Sequence, residues 1–277
     1  MKNIFPLNTV SPIPPRRYQT GIAGFDRLLG GGLVEGSAIL ISGTPGSGKS
    51  TLLMQIAYQL AAGENMKVLY VNGEENRAQV KMRAERLQID SEKILLTEDT
   101  EVESVLRARK NLQPKLIIID SMQMLWSKHL KQAPATPTQM RYGLLTLTAM
   151  AKATGTIVIF VGHSTKGGFI AGLQTLQHMV DVTLYLGVDE IDSNHRFLKA
   201  NKNRFGATDF VWDMKMTQIG FSDESGIVTE PLIESQTATS TRQVTLTDTQ
   251  IEDMIRDRPF WGFLVRTSMD FLRKQVN

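Results

Sequence analysis

The stretch Gly43-Thr44-Pro45-Gly46-Ser47-Gly48-Lys49-Ser50-Thr51 holds the residues whose types and spacing promise the most specific chemistry. Its first eight residues fit G-x-x-x-x-G-K-[ST], a pattern that holds phosphates. Glycines let backbone N–H groups close around phosphate oxygens, and the N-terminus of a following helix adds positive potential. At this spacing Lys49 reaches the β- and γ-phosphates and the Ser50 hydroxyl is a ligand for Mg2+. The ion needs a carboxylate as well, and Asp120 supplies it at the end of the apolar run Leu116-Ile117-Ile118-Ile119. Hydrolysis further requires a group that orients or deprotonates water. Gly73-Glu74-Glu75 closes the run Val68 to Asn72, with Glu74 as the candidate general base and Glu75 as its partner or substitute. His163 ends the run Phe160-Val161-Gly162 and is expected beside the γ-phosphate as a sensor. A guanine reader would need N-K-x-D. The nearest match, Asn201-Lys202-Asn203-Arg204, has Arg where a carboxylate must accept guanine's donors, so the implied ligands are ATP and Mg2+.

These groups are useful only if the elements carrying them converge. Strands are predicted at Ala38–Ile41, Val68–Val71, Leu116–Ile119, Thr156–Val161 and Val182–Leu186, nearly continuous apolar runs that suit a parallel sheet covered on both faces. Helices are predicted over Lys49–Ala62, Arg77–Leu87, Val102–Asn111 and Thr138–Thr154. The alternation reads as a doubly wound α/β domain in which strand ends open onto one crevice. After Leu186 the rhythm becomes strand-rich, with Arg196–Ala200 and Phe210–Met214 expected as an antiparallel edge. The predicted organisation is a basic, Pro-rich arm over 1–18, a core over 19–230, a polar linker over 231–246 and a short helical tail over 247–277. The tail carries Pro259-Phe260-Trp261-Gly262-Phe263, expected to pack on its own core or on a partner.

Composition narrows the classes. The chain has 277 residues, 42% of them hydrophobic, and no cysteine, which excludes disulfide scaffolds, thiolate zinc sites and iron–sulfur clusters. A net charge of +3 is too small by itself to mark a nucleic-acid binder, although Lys2, Arg16 and Arg17 concentrate charge in the arm. No apolar run approaches the roughly 20 residues of a membrane span, and the first residues lack a signal-peptide core, so a cytoplasmic protein without membrane association is expected.

Several runs resemble the bacterial RadA (Sms) branch of the RecA-like ATPases: Thr20-Gly21-Ile22, Phe25 to Leu33, the phosphate loop, Tyr70-Val71-Asn72-Gly73-Glu74-Glu75, Gly162 to Lys166, His178-Met179-Val180-Asp181 and Lys202-Asn203-Arg204-Phe205-Gly206. They reach from Thr20 to Phe221. The first two are shared with KaiC and archaeal relatives, whereas K-N-R-F-G is the branch's own signature. The resemblance implies a RecA-like fold and an ATP-driven motor that assembles as a ring, with a hexamer favoured. It would act on single-stranded DNA in recombination, branch migration and repair, with a recombination or replication protein as partner. Each ATP would lie between subunits, Lys49, Ser50, Asp120 and Glu74 coming from one and Lys202 and Arg204 from its neighbour. Charge developing on a transferred phosphoryl group calls for such a cation.

DNA would face two loops. One contains Trp126, Lys128, His129, Lys131 and Arg141; the other contains Lys166, Gly167, Gly168 and Phe169, with Lys166 the leading candidate contact. The chain departs from the branch in lacking the cysteines of its zinc finger and the length for its Lon-protease-like domain. In the second loop Gly167-Gly168 follows Lys166 where Glu-Gly is usual, and Leu173 and Gln174 stand where Pro and a basic residue are expected. The alternative is a KaiC-like signalling or assembly ATPase that switches oligomeric state without binding DNA.

Overall fold

In a computed structural model of the chain, the residues described are 6–9, 14–163 and 174–223. The expected linker and tail lie outside them, as do Lys2, Lys166, Gly167, Gly168 and Phe169. In chain order the elements are β1 (Arg17–Tyr18), α1 (Ala23–Leu28), β2 (Leu33–Val34), β3 (Ala38–Gly43), α2 (Lys49–Gly63), β4 (Val68–Asn72), α3 (Arg77–Arg86), β5 (Ile94–Thr97), α4 (Val102–Leu112), β6 (Leu116–Asp120), α5 (Pro137–Thr154), β7 (Ile157–His163), α6 (Gln174–Gln177), β8 (Val182–Val188), β9 (His195–Asn203), β10 (Val211–Thr217) and β11 (Gly220–Asp223).

Nine strands form one sheet in the order β11-β10-β9-β8-β3-β7-β6-β4-β5. From β8 to β5 every neighbouring pair is parallel, and β9, β10 and β11 add an antiparallel wing. The side-chain period of two sorts each apolar run between two cores. Ile39, Ile41, Tyr70 and Ile118 face α2 through Leu52, Leu53 and Ile56. Leu40, Val71, Ile119 and Phe160 face α4 and α5 through Val105, Leu144 and Leu147. Burying such a side chain stabilises by about 1.5–3 kcal/mol, so strands covered on both sides set the position of everything at their ends.

Helix limits follow from local chemistry. Asn76 and Gln79 form a reciprocal capping box at the start of α3, with bonds of 2.9 and 3.0 Å. Pro137 opens α5, and Gly155, in the left-handed region, ends it.

The parallel strands, the four long helices and the antiparallel wing follow the predicted pattern. Two features differ from expectation. β5 is a half-exposed edge strand whose Ile94-Leu95-Leu96-Thr97 is too short to stand out as an apolar run. At the end of the expected arm, Arg17 and Tyr18 pair with Val34 and Leu33. The Arg17 guanidinium donates to the carbonyls of Leu29 (3.1 Å), Gly32 (3.3 Å) and Phe205 (2.7 Å), and Arg16 lies 4.7 Å over the Tyr18 ring. Arg17 is thus bound to the core through three backbone carbonyls.

Candidate functional site

The phosphate loop runs from Gly43, the last residue of β3, to Ser50 in the first turn of α2. Gly46 (φ 77°) and Gly48 (φ 102°) occupy the left-handed region, where a side chain would strain the backbone. A Cβ at Gly46 would meet nothing within 4 Å, so the loop leaves open space on that side. A Cβ at Gly48 would stand 2.4 Å from Met216 Cε and 2.6 Å from Phe221, residues of β10 and β11 that brace the start of α2. Gln55 fixes this hairpin by bonding both the N–H (2.8 Å) and the C=O (3.2 Å) of Phe221. Lys49 is buried, and its ammonium donates to the carbonyls of Gly43 (2.9 Å) and Thr44 (3.0 Å). Burial lowers the pKa of Lys49, against the opposing charges of Asp120 and Glu74. Those two carboxylates therefore lie within electrostatic reach of the phosphate loop.

Asp120 ends β6, buried, with Oδ2 accepting a 2.6 Å bond from the hydroxyl of Tyr70 in the middle of β4. Burial, followed by the charge of Asp120, pushes the Tyr70 phenol well above its usual range, so the phenol remains a donor and fixes the carboxylate. Glu74 follows β4. Its carboxylate accepts from the Ser121 hydroxyl and meets His163 Nε2 at 2.8 Å. Desolvation raises the Glu74 pKa, but the bonds from Ser121 and His163 and the charges of His163 and Lys49 outweigh it, leaving the pKa below the ordinary value. Glu75 points elsewhere: its carboxylate pairs with Arg83 of α3, and its backbone is tied to Asn72. The structure thus gives different partners to two neighbouring acids, of which the sequence favoured Glu74 and kept Glu75 as partner or substitute. His163 Nδ1 is buried with no partner among the described residues.

For ATP and Mg2+ the donor set fits. Ser50 and Asp120 offer hard oxygen ligands, and among the described residues no group of three or more His, Cys, Asp or Glu could hold a metal by itself. Mg2+ bound by one or two protein oxygens and nucleotide phosphates needs no such cage.

Sequence reasoning missed Arg196. It lies at the start of β9, and its Nε donates to the Ser47 carbonyl at 3.1 Å, locking the phosphate loop to the wing. Burial lowers its pKa, opposed by the charge of Asp192. Only the antiparallel register of β8 and β9, Val188 against Arg196, brings it there. Tyr70 and Ser121 were missed for the same reason: each acts through a neighbouring strand.

Lys202 and Arg204 are not at this site. In the register Leu40–Thr183–Lys202, Lys202 is level with the first half of β3. Arg204 lies beyond it and bonds Asp181, whose N–H donates to the Ala38 carbonyl. From Ala38 to Gly43 is five residues, roughly 16 Å of strand. Arg204 therefore sits at the edge of the sheet opposite its own phosphate loop.

The first expected DNA loop is partly committed internally. Lys128 pairs with Glu101 at 3.1 Å. The carboxyl of Glu101 is held down at about 2 by bonds from Ser104, Lys128 and Arg107. His129 stands 3.8 Å from Glu103, and Trp126 is half-buried with its backbone bonded to Thr100 and Val102. Lys131 and Arg141 are exposed.

A family model described as ATPase: KaiC matches residues 18–110. The chain is 43% identical over 209 residues to DNA repair protein RadA of Salmonella typhimurium, a match covering 76% of this chain and 45% of that protein. Against DNA repair protein RadA of Bacillus subtilis the identity is 38% over 220 residues, 79% of this chain and 47% of the relative. With DNA repair protein RadA of Chlamydia trachomatis it is 37% over 270 residues, 95% of this chain and 59% of the relative. The chain spans about half the length of the curated relatives it matches. Among solved structures, a KaiC-like protein from the hyperthermophilic archaeon Pyrococcus horikoshii shares the fold, with a TM-score of 0.62 at 22% identity over 76% of this chain and 99% of that one. No helix among the described residues is long and apolar enough to cross a membrane.

Proposed function

The chain carries a RadA-like core of the RecA-type P-loop ATPase fold, and from that premise we propose that it is a DNA-dependent ATPase that works as a ring on single-stranded DNA in recombination and repair. The observation that carries the reading is the separation of the cationic signature from its own phosphate loop. Arg204, at the far edge of the sheet, is useful to phosphoryl transfer only at a neighbouring subunit's nucleotide, which requires assembly.

Within one subunit the groups divide the work. Lys49 leaves its two carbonyl partners for the β- and γ-phosphate oxygens, and the N–H groups of the loop from Thr44 to Thr51 cradle the chain of phosphates. Ser50 and Asp120 would hold Mg2+, which would neutralise charge on the nucleotide's phosphates. Glu74 accepts the proton of the water that attacks the γ-phosphorus as the bond to the bridging oxygen breaks. His163 holds Glu74 and senses the γ-phosphate. Glu75, paired to Arg83, supports the strand end rather than the water. Arg204 from the neighbour stabilises the transition state. Lys202, whose donors are all engaged, anchors the turn before β8.

Strand contact falls to Lys131 on the first loop, to Arg141, which the structure puts in the second turn of α5 rather than on that loop, and to Lys166 on the second loop, with Lys128 held back by Glu101. A hexameric ring, a partner protein of the recombination or replication machinery, a cytoplasmic location and the division into arm, core, linker and tail belong to the same proposal. Steady-state ATPase rates with and without single-stranded DNA test it. Stimulation that weakens with salt, by a slope of about 0.7 per phosphate contact on a logarithmic scale, is expected. An unstimulated ATPase whose oligomeric state follows the bound nucleotide would instead favour the KaiC-like reading.

A further inference from the structure

The edge of the sheet opposite the phosphate loop holds an uneven set of charges. Asp181, between α6 and β8, is almost fully buried at 4% exposure. Its Oδ2 accepts from the Ala38 N–H at 3.1 Å, and its Oδ1 meets Arg204 at 3.1 Å and Lys152 at 3.3 Å. Its carbonyl accepts from the Arg204 N–H at 3.2 Å. Both the backbone and the side chain of Arg204 are therefore tied to one residue. Lys202 is engaged differently: its ammonium donates to the carbonyls of Gln177 (3.2 Å), His178 (3.3 Å) and Val180 (2.7 Å). An ammonium has three N–H groups, so none remains for a phosphate. A guanidinium has five, and Arg204, with its side chain 52% exposed, uses one of them on Asp181. Asp181 also lines a cavity of about 430 Å3 that opens beside Arg16, Lys152 and Phe205.

We propose that Asp181 is the positioning residue for the trans-acting Arg204: buried and fixed to the first residue of β3, it orients one edge of the guanidinium and turns the remaining donors outward to a neighbour's nucleotide. The inference rests on the reading of Arg204 as the cation supplied across the subunit interface. A carboxylate held in the sheet restricts the arginine before assembly, which reduces the ordering required when the neighbour docks. Lys202 contributes by pinning the 177–180 turn that leads into Asp181.

Asp181→Asn is the informative variant, because an amide oxygen still accepts from Ala38 while the charge that holds Arg204 is gone. With single-stranded DNA present, we expect kcat for ATP to fall about 10-fold with KM unchanged. Fluorescent ATP analogue binding and thermal unfolding should stay near wild type, showing that the fold and the subunit's own nucleotide site survive. Arg204→Ala should lose on the order of 10²- to 10³-fold, and adding Asp181→Asn to it should cost nothing more. Asp181→Glu should recover part of the rate. Mixing Asp181→Asn protein with Lys49→Ala protein should give more activity than either alone, since the second supplies an intact Arg204 to the first. Full additivity in the double variant, or unchanged kcat in Asp181→Asn, would overturn the positioning role. Wild-type turnover by Arg204→Ala would instead remove the trans reading beneath it.

Discussion

At the edge of the sheet where the parallel strands end, Lys49, Glu74 and Asp120 arrive from three separate strand ends and act on one another through their fields. At the opposite edge Lys202 spends every N–H on carbonyls of one turn, and Asp181 is shared among Ala38, Lys152 and Arg204. At the first edge Lys49 rests on backbone carbonyls, acceptors that a polyanion can replace, while donors from neighbouring strands hold Asp120 and Glu74. The second is cross-linked, so that the half-exposed Arg204 guanidinium stands on a fixed base. A cation that binds thus keeps partners a ligand can displace, and a cation that is presented keeps a partner that stays.

Lys49→Ala is the harshest test of the first half of that contrast. Removing the buried cation leaves Glu74 and Asp120 facing the phosphates without compensation, so ATP turnover should fall below detection and analogue binding should weaken at least about 100-fold. Measurable hydrolysis at normal KM would show that the loop is not the phosphate site. Next in size is the pair Glu74→Gln and Glu75→Gln. The first should retain ATP binding and lose on the order of 10³-fold in kcat, the second should change kcat less than about 3-fold. The reverse result would mean that Arg83, rather than Ser121 and His163, addresses the catalytic carboxylate.

The two edges were also unequally legible in the sequence. Gly43 to Ser50, Glu74, Asp120 and His163 could be placed because each follows a continuous apolar run, and parallel strands deliver their ends to one crevice. The choice between Glu74 and Glu75 could not be read, because it depends on Arg83 in α3 and Ser121 after β6. Arg196 against Ser47 and Arg204 against Asp181 were hidden for a related reason: each pairing follows from the antiparallel register of β9, which no local pattern encodes. Lys202 and Arg204, two residues apart in one signature, looked alike in sequence, and only their donor counts against the surrounding carbonyls tell them apart.

Lys202→Met probes the cross-linked edge. It keeps much of the side-chain stem while leaving the carbonyls of Gln177, His178 and Val180 without their shared donor. Because Gln177 and His178 are at least partly open to water while Val180 is buried, the loss should be about 1–2 kcal/mol of stability, seen as a fall of about 2–5 °C in Tm, with ATP analogue binding unchanged. A large loss of nucleotide affinity without a change in Tm would place Lys202 with the binding groups and break the contrast.

The smallest expected effect, and the sharpest on the nucleotide edge, concerns the pH profile. The folded pKa of Glu74 lies below its ordinary value, so its ionised form contributes stability above the ordinary value and loses that contribution as the pH falls through the lowered one. The general base therefore stays charged further into acid than a free glutamate. Burial opposes this, while the Ser121 and His163 bonds and the His163 and Lys49 charges drive it. His163→Ala removes two of the favourable causes and leaves burial in place, so the Glu74 pKa must rise. The acid limb of the kcat profile should then move toward neutral pH, while the plateau rate near pH 8 changes far less than in Glu74→Gln. An acid limb that stays in place would mean that a group other than Glu74 titrates in that step, and would move the proton transfer away from the end of β4.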